Sequence, residues 1–256
     1  MAKISVLRSG AVLASACAEG TVKLRFDGAY LPGDVILFES DSDYVFLRVD
    51  GLVPPARMYL PQRKLTYRVP VGGDGLTPYA PGAFMGERHE LSLAPDETRV
   101  YRNLSVNPAD QRGDTEGYPH ATANVETRDE SIFAARNAID GLTFSAGHGM
   151  WPYESWGIGT RTDAYLTVDF GRNVTVDKAV LYLRADYPHD SYWEKAELVF
   201  SDGSRETLSP KQVDGPQVFA FTPRTVTPVR IRNLVKADLP SPFPALRQIE
   251  LYGTDA

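Results

Sequence analysis

The chain has 256 residues, of which 43% are hydrophobic and 23% charged, and its formal net charge is −6. This composition is that of a folded globular protein, and the length allows one large or two ordinary domains with hydrophobic cores. A net negative charge without a basic cluster argues against a nucleic-acid partner or an anionic membrane surface. No stretch approaches the roughly 18 apolar residues of a membrane-spanning helix.

The chain has one cysteine, Cys17, so an intrachain disulfide is excluded and a reducing, cytoplasmic location is favoured. Its apolar surroundings predict a buried, unreactive thiol. The run Ala11–Ala18 that contains it is predicted to form a β-strand. A signal peptide, and with it a secreted protein, is the alternative left open by Lys3, Arg8 and the apolar run.

The first half of the chain consists of short runs rich in β-branched and aromatic residues, separated by Gly and Pro turn signals. Strands are predicted at 21–26, 34–39, 44–49, 57–60, 65–69 and 89–93. No helical periodicity of useful length appears among them. This pattern predicts an N-terminal β-sandwich domain over residues 1–106, to which the sequence assigns no role.

A polar segment with two glycines and one proline, residues 107–118, is predicted to link the two halves. Beyond it, a second domain over 119–256 is predicted from strands at 121–127, 165–170, 179–184, 196–201, 217–222, 229–233 and 248–252. Asp202-Gly203 is the signal of a tight hairpin turn. Residues 130–138 are the only predicted helical segment, of one or two turns.

Four motifs follow one another in the second half: Asn-Ala-Ile-Asp-Gly at 137–141, Trp156, Leu-Thr-Val-Asp-Phe-Gly at 166–171 and Ile-Glu-Leu-Tyr-Gly at 249–253. In this order and spacing, residues 115–254 resemble the factor V/VIII C-type (discoidin) domains. These belong to the galactose-binding-like jelly rolls, which include many bacterial carbohydrate-binding modules. The resemblance implies an all-β protein of two β-sandwich domains, the C-terminal one a discoidin-like jelly roll. It also assigns Trp156 to the core, whereas residues 143–155 are longer than the corresponding family segment.

Loops of the second half are rich in aromatic, charged and His residues, the groups that bind sugars. Aromatic rings stack on the C–H faces of a sugar, and carboxylate, Arg or His groups bind its hydroxyls. The predicted ligand-binding residues are His148, Trp151, Tyr153, Arg161, Arg184, Asp186, His189, Asp190, Trp193, Lys236 and Phe243.

A structural Ca²⁺ is implied by the resemblance, next to the Asp-Gly turn. Asp140 and Glu250 would supply carboxylates, and backbone oxygens near Asn137 and Leu142 would complete the hard-oxygen set that Ca²⁺ prefers. The alternative is that Asp140 caps a turn and Glu250 pairs with an arginine. The histidines lack the short spacing of a zinc site.

The chain contains no G-x-S-x-G, H-E-x-x-H or P-loop motif. A glycosidase-type pair of carboxylates, such as Asp186 and Asp190, is left open, with hydroxyl binding or pairing with Arg184 as the alternative. The predicted function is therefore non-catalytic carbohydrate binding through the rim loops of the C-terminal jelly roll. Two alternatives remain open: a glycan-active hydrolase or lyase with its site between the domains, and a protein–protein assembly module. The sequence does not indicate an oligomeric state.

Overall fold

The computed structural model describes residues 1–147, 149–184 and 190–256. Within these ranges the strands are β1 (Ala2–Arg8), β2 (Ala11–Ala18), β3 (Val22–Asp27), β4 (Val35–Ser40), β5 (Tyr44–Arg48), β6 (Ala56–Tyr59), β7 (Lys64–Arg68), β8 (Arg88–Pro95), β9 (Arg102–Asn103), β10 (His120–Ala123), β11 (Trp156–Gly157), β12 (Leu166–Leu183), β13 (Trp193–Phe200), β14 (Arg205–Leu208), β15 (Gln217–Lys236) and β16 (Ala245–Asp255). Short 3-10 helices lie at Gly73–Leu76, Thr127–Asp129, Ser131–Phe133 and Ala135–Ile139. The predicted all-β fold is confirmed.

Strands β1 to β8 form the N-terminal sandwich. Its two antiparallel sheets have the strand orders β2-β1-β4-β7 and β3-β8-β5-β6. Alternate residues of each strand point inward, as Leu24, Leu47 and Leu91 do, and they form one hydrophobic core. The alternation of the sequence therefore identified β3 to β8 correctly, because one face of each sheet is buried, whereas β1 was not predicted.

Cys17 was predicted to be buried, and this prediction is wrong: its side chain is exposed. Strand β2 lies at the edge of its sheet, where Ala14, Ala16 and Ala18 pack toward the core. The intervening Ser15 and Cys17 point outward. An apolar run on an edge strand thus leaves one of its faces in solvent.

Strands β9 to β16 form the C-terminal sandwich, in which β12 and β15 each span two of the predicted strands. The strand order is β11-β16-β12-β15-β13-β14, with β10 on β12 and β9 on β16. The pairing of β12 with β15 is interrupted between Asp169 and Val174, yet residues on both sides, such as Val168 and Leu181, enter the same core. The sheet therefore folds over at this irregularity into two layers, which confirms the predicted second sandwich.

Gly171 of the predicted motif lies at this fold-over, with a φ of 64°. A Cβ atom there would lie 2.4 Å from the Tyr118 ring. The motif glycine thus serves the bend of β12 and its close packing against residue 118.

The segment 107–118 contacts both sandwiches. Asn107 and Asp110 are buried, and the Asn107 Nδ2 donates to the Pro119 carbonyl at 2.7 Å. Ala109 belongs to the N-terminal core, whereas Leu104, ahead of the segment, belongs to the C-terminal one. The two sandwiches are therefore joined by a packed segment.

Candidate functional site

The rim of the C-terminal sandwich is the end opposite the fold-over of β12 and β15. Leu183 pairs with Leu246, and Trp193 pairs with Lys236. These pairs lie at opposite ends of the antiparallel pairing of β12 with β15, and the fold-over brings the two ends to the same side of the sandwich. Among the described residues, Arg184, residues 190–192 and residues 237–244 extend from these strand ends.

A groove of about 310 Å³ opens at this rim. Its base is apolar, with Ile158, Trp193 and Leu234, and one side carries three prolines. The lining residues, here called the rim groove, are Ile158, Gly159, Thr160, Arg161, Thr162, Trp193, Leu234, Lys236, Pro240, Pro242 and Pro244. The volume lies at the lower end of the range for small-molecule sites. Three of the predicted binding residues, Arg161, Trp193 and Lys236, share this groove.

Trp193 was predicted to present its ring to a ligand, but the structure places it in the core with 1% exposure. Its ring centroid lies 6.3 Å from that of Trp156. Irregularities in the pairing of β13 with β15, at Lys195, bring Trp193 onto the same inner face as Ala196 and Leu198. Trp193 therefore supports the groove from below and offers no open ring face.

Trp156 lies in the core, as predicted. It is fully buried, and its Nε1 donates to the Val125 carbonyl at 2.9 Å.

The polar groups of the rim groove are held by neighbours. Arg161 is exposed and pairs with Asp163 through two hydrogen bonds of 2.6 Å. The Lys236 Nζ donates to the carbonyls of Ala237 and Leu239 at 2.8 and 2.7 Å. Phe243, between two of the lining prolines in sequence, exposes 48% of its surface. It is therefore the open aromatic ring of this loop.

Arg184 and Tyr153 lie beside the groove-forming loops but do not line the groove. Arg184 was predicted to bind ligand, whereas the structure buries it, with Nη1 donating to the Tyr153 carbonyl at 3.0 Å. Asp190 is half-buried, and its carbonyl accepts from Gln212. Three further predicted residues, His148, Asp186 and His189, lie outside the described residues.

Trp151 is separated from the rim groove and lies at a small cavity of about 90 Å³ between the two sandwiches. This cavity, here called the notch, is lined by Leu52, Val53, Pro54, Pro78, Tyr79, Ala80, Pro108, Arg136, Asp140, Leu142 and Trp151. Within the described chain, the Trp151 Nε1 and the Asp140 Oδ2 are buried polar atoms without a hydrogen-bond partner. The notch is thus apolar with two unsatisfied polar atoms.

Asp140 carries a strongly perturbed carboxyl group. Burial raises its pKa well above the ordinary value, the nearby Arg136 guanidinium opposes this shift, and the Glu154 carboxylate adds to it. Burial also raises the pKa of Glu154. The Asp140 Oδ1 accepts from the Leu142 N–H at 2.8 Å, the turn-capping bond that the sequence left as an alternative. Sequence reasoning missed Arg136 and Glu154, whose proximity to Asp140 depends on the tertiary fold.

The donor set predicted for calcium is not brought together. The side chain at the Asp-Gly turn is Gln248, whose Oε1 accepts from the Gly141 N–H at 3.2 Å. Glu250 lies two residues further along β16, about 7 Å away, where it bonds to Tyr252 and faces Lys178. The Asn137 amide oxygen accepts from Arg136. The carboxylates of Asp140 and Glu250 therefore have separate partners, and the Ca²⁺ site stays a prediction.

A buried histidine joins the segment 107–118 to β10. The His120 Nδ1 lies 2.7 Å from the Asp110 Oδ1, and the Asp110 Oδ2 accepts from the Ala121 N–H. Burial lowers the pKa of His120, but the bond to Asp110 and its charge outweigh this, so the pKa is raised. Sequence reasoning missed this pair as well.

The comparisons with known proteins give weak likenesses in structure and none in sequence. No family model matches the chain, and no curated protein matches it. A chitosan-binding module of a chitosanase/glucanase from Paenibacillus sp. IK-5 is 22% identical, with a TM-score of 0.42, and the match covers 59% of this chain and 99% of that one. The lectin-binding domain of lectinolysin, complexed with Lewis b, is 16% identical, with a TM-score of 0.45 and coverages of 61% and 99%. The family 32 carbohydrate-binding module of C. perfringens NanJ, complexed with galactose, is 17% identical, with a TM-score of 0.40 and coverages of 52% and 91%. In the described part of the chain, no helix is long and apolar enough to cross a membrane.

Proposed function

We propose that the chain binds carbohydrate without altering it, through the rim groove of the C-terminal sandwich. The discoidin-type motifs of the second half motivate this proposal. The observation that supports it best is the groove itself, which combines an apolar base with a few fixed polar groups and an exposed aromatic ring nearby. That combination suits a ring with apolar C–H faces and polar hydroxyl edges.

The roles of the groove residues follow from their contacts. The Arg161–Asp163 pair offers donors and acceptors side by side, so it can bind adjacent hydroxyls. Lys236 donates two of its three N–H groups to backbone carbonyls, so the third can donate to a ligand in a fixed direction. Phe243 is the ring on which a sugar face would stack. The loop residues Asp186 and His189 remain proposed contributors.

The test uses a matched pair of exposed phenylalanines. Phe243→Ala should weaken binding to a glycan identified on an array by about 5- to 100-fold, the loss of one stacking contact and its buried area. Phe46→Ala is the control, because Phe46 is 45% exposed but lies on a strand of the N-terminal sandwich. Equal affinity of both variants and the unaltered chain would refute the rim groove as the site.

Arg161→Ala and Lys236→Met test the polar contacts on the same glycan. Each should reduce affinity about tenfold, the effect of about 1.4 kcal/mol. After long incubation with the chain, the oligosaccharide should be recovered with unchanged mass, because the chain is proposed to bind it without turnover.

The second candidate is glycan hydrolysis at the notch. Two carboxyls with raised pKa values, Asp140 and Glu154, favour it, because glycosidases keep one carboxyl protonated. Both are buried, however, and Glu154 does not line the notch. If the chain cleaves an oligosaccharide and Asp140→Asn abolishes the cleavage, hydrolysis at the notch would replace binding as the proposed function.

A further inference from the structure

Strand β2 has one free edge. Its inner side pairs with β1 from Arg8↔Ala11 to Ala2↔Ala18, and β2 is the outermost strand of its sheet. Within the described chain, no backbone hydrogen bond joins Ala11–Ala18 to any strand or loop other than β1. The outward N–H and C=O groups of β2 are therefore available to another strand.

Two other sheet edges of the N-terminal sandwich are covered by the segment that follows it. On β7, the Thr66 N–H donates to Glu116 at 2.6 Å, and the Gln111 side chain exchanges two bonds with the Arg68 backbone. On β6, Tyr59 exchanges two backbone bonds with Tyr118, at 2.8 and 2.9 Å. Neither edge can accept a further strand at these positions.

The remaining edges are charged, short or capped. Strand β3 carries Lys23, Arg25 and Asp27, and β14 carries Arg205 and Glu206. Strands β9 and β11 have two residues each, and the Ala121 N–H of β10 donates to Asp110. These are the devices by which proteins prevent edge-to-edge pairing.

Strand β2 has almost none of these devices. Its sequence, AVLASACA, contains no charged residue and no proline, and Val12 is 59% exposed. The register shift opposite Val6 and Leu7 leaves Leu13 as an extra residue, so the strand is irregular there. The stretch from Ala14 to Ala18 is regular and carries only small side chains, which allows a second backbone to approach closely.

We propose that β2 pairs antiparallel with β2 of a second copy of this chain, through Ala14–Ala18. Two identical strands in this arrangement form a closed twofold interface, which joins the two four-stranded sheets into one of eight strands. The second copy fits this edge because, with Ala16 on the twofold axis, only alanine, serine and cysteine face one another. Neither strand carries a charged side chain, so no like charges meet across the interface.

Cross-linking tests the register. With Ala16 on the axis, Cys17 lies opposite the partner's Ser15, so the two copies of Cys17 are diagonal neighbours about 7–8 Å apart on one face. A short bis-maleimide should therefore link the copies through Cys17. A cross-linked dimer is the expected product, and none is expected from Cys17→Ser.

Sedimentation equilibrium on the full chain, from about 1 to 500 μM, tests the assembly itself. A monomer–dimer equilibrium is expected, and Cys17→Lys should weaken it at least tenfold by placing a charge on the edge. Thr207→Lys is the control, a lysine at an exposed position of the already charged strand β14. A monomer at every concentration, or a dimer equally strong in Cys17→Lys, would overturn the proposal.

Discussion

Replacing Trp193 by alanine should lower the free energy of unfolding, because the side chain belongs to the core and offers no ring face to a ligand. The side chain is 1% exposed and belongs to the core of the C-terminal sandwich, next to Trp156. Truncating a buried tryptophan costs about 3–5 kcal/mol, because transfer energy and cavity energy are both lost. For a protein of this size each kcal/mol lowers the melting temperature by about 2–4 °C, so a decrease of roughly 6–20 °C is expected.

The assay is thermal and urea unfolding of Trp193→Ala beside Phe243→Ala. Phe243 is half exposed, so its truncation should change stability by no more than about 0.5 kcal/mol. The two variants thus separate a ring that supports the rim groove from a ring proposed to contact the ligand. If Trp193→Ala had the same melting temperature as the unaltered chain, the ring would not be in the core and the description of the groove would be refuted.

Three further predictions concern the pKa of His120, the pKa of Asp140 and the binding of calcium. Folding raises the pKa of His120, so its pair with Asp110 stabilises fully below about pH 6.5 and is lost as the pH rises through the folded pKa. Urea unfolding between about pH 5.5 and 9 should show this loss in the unaltered chain and not in His120→Gln; parallel curves would contradict it. Burial raises the pKa of Asp140, so its carboxyl destabilises increasingly above its unfolded pKa of about 3.9. The melting temperature of Asp140→Asn should therefore rise relative to that of the unaltered chain as the pH rises. A difference between the two melting temperatures that does not change with pH would refute the burial argument. Because the predicted calcium ligands are apart, Ca²⁺ or a chelator should shift the melting temperature by less than about 1 °C; a larger rise with Ca²⁺ would show a filled site.

The sequence predicted most of the strands because one face of nearly every strand is buried, whereas β1, β9, β11 and β14 were not predicted. Phe26, Phe38 and Leu91 illustrate the alternation that makes such strands recognisable. The motif residues Trp156 and Gly171 were equally informative, since both are required by packing. These features are local, so they can be read from neighbouring residues.

The candidate site was less predictable because it depends on irregular pairing and distant contacts. Strict alternation from Ala196 and Leu198 would turn Trp193 outward, and only the irregular pairing near Lys195 reverses this. The environment of Asp140 arises from Arg136 and Glu154, which no short motif connects to it. Arg184 sits at a strand end that the sequence assigns to the rim, and only the tertiary fold shows that it is buried.

The covered edges of β6 and β7 have a consequence for any attempt to study the halves separately. A fragment ending at residue 106 would lose Gln111, Glu116 and Tyr118 and leave bare the backbone groups of Thr66, Arg68 and Tyr59. Such a fragment would carry three open strands, β2, β6 and β7, and should precipitate or form fibrils more readily than the whole chain. A cut after Tyr118 keeps these contacts with the N-terminal part, but it takes β9 and Asp110 from the C-terminal sandwich. The segment that joins the two sandwiches therefore protects strand edges of both.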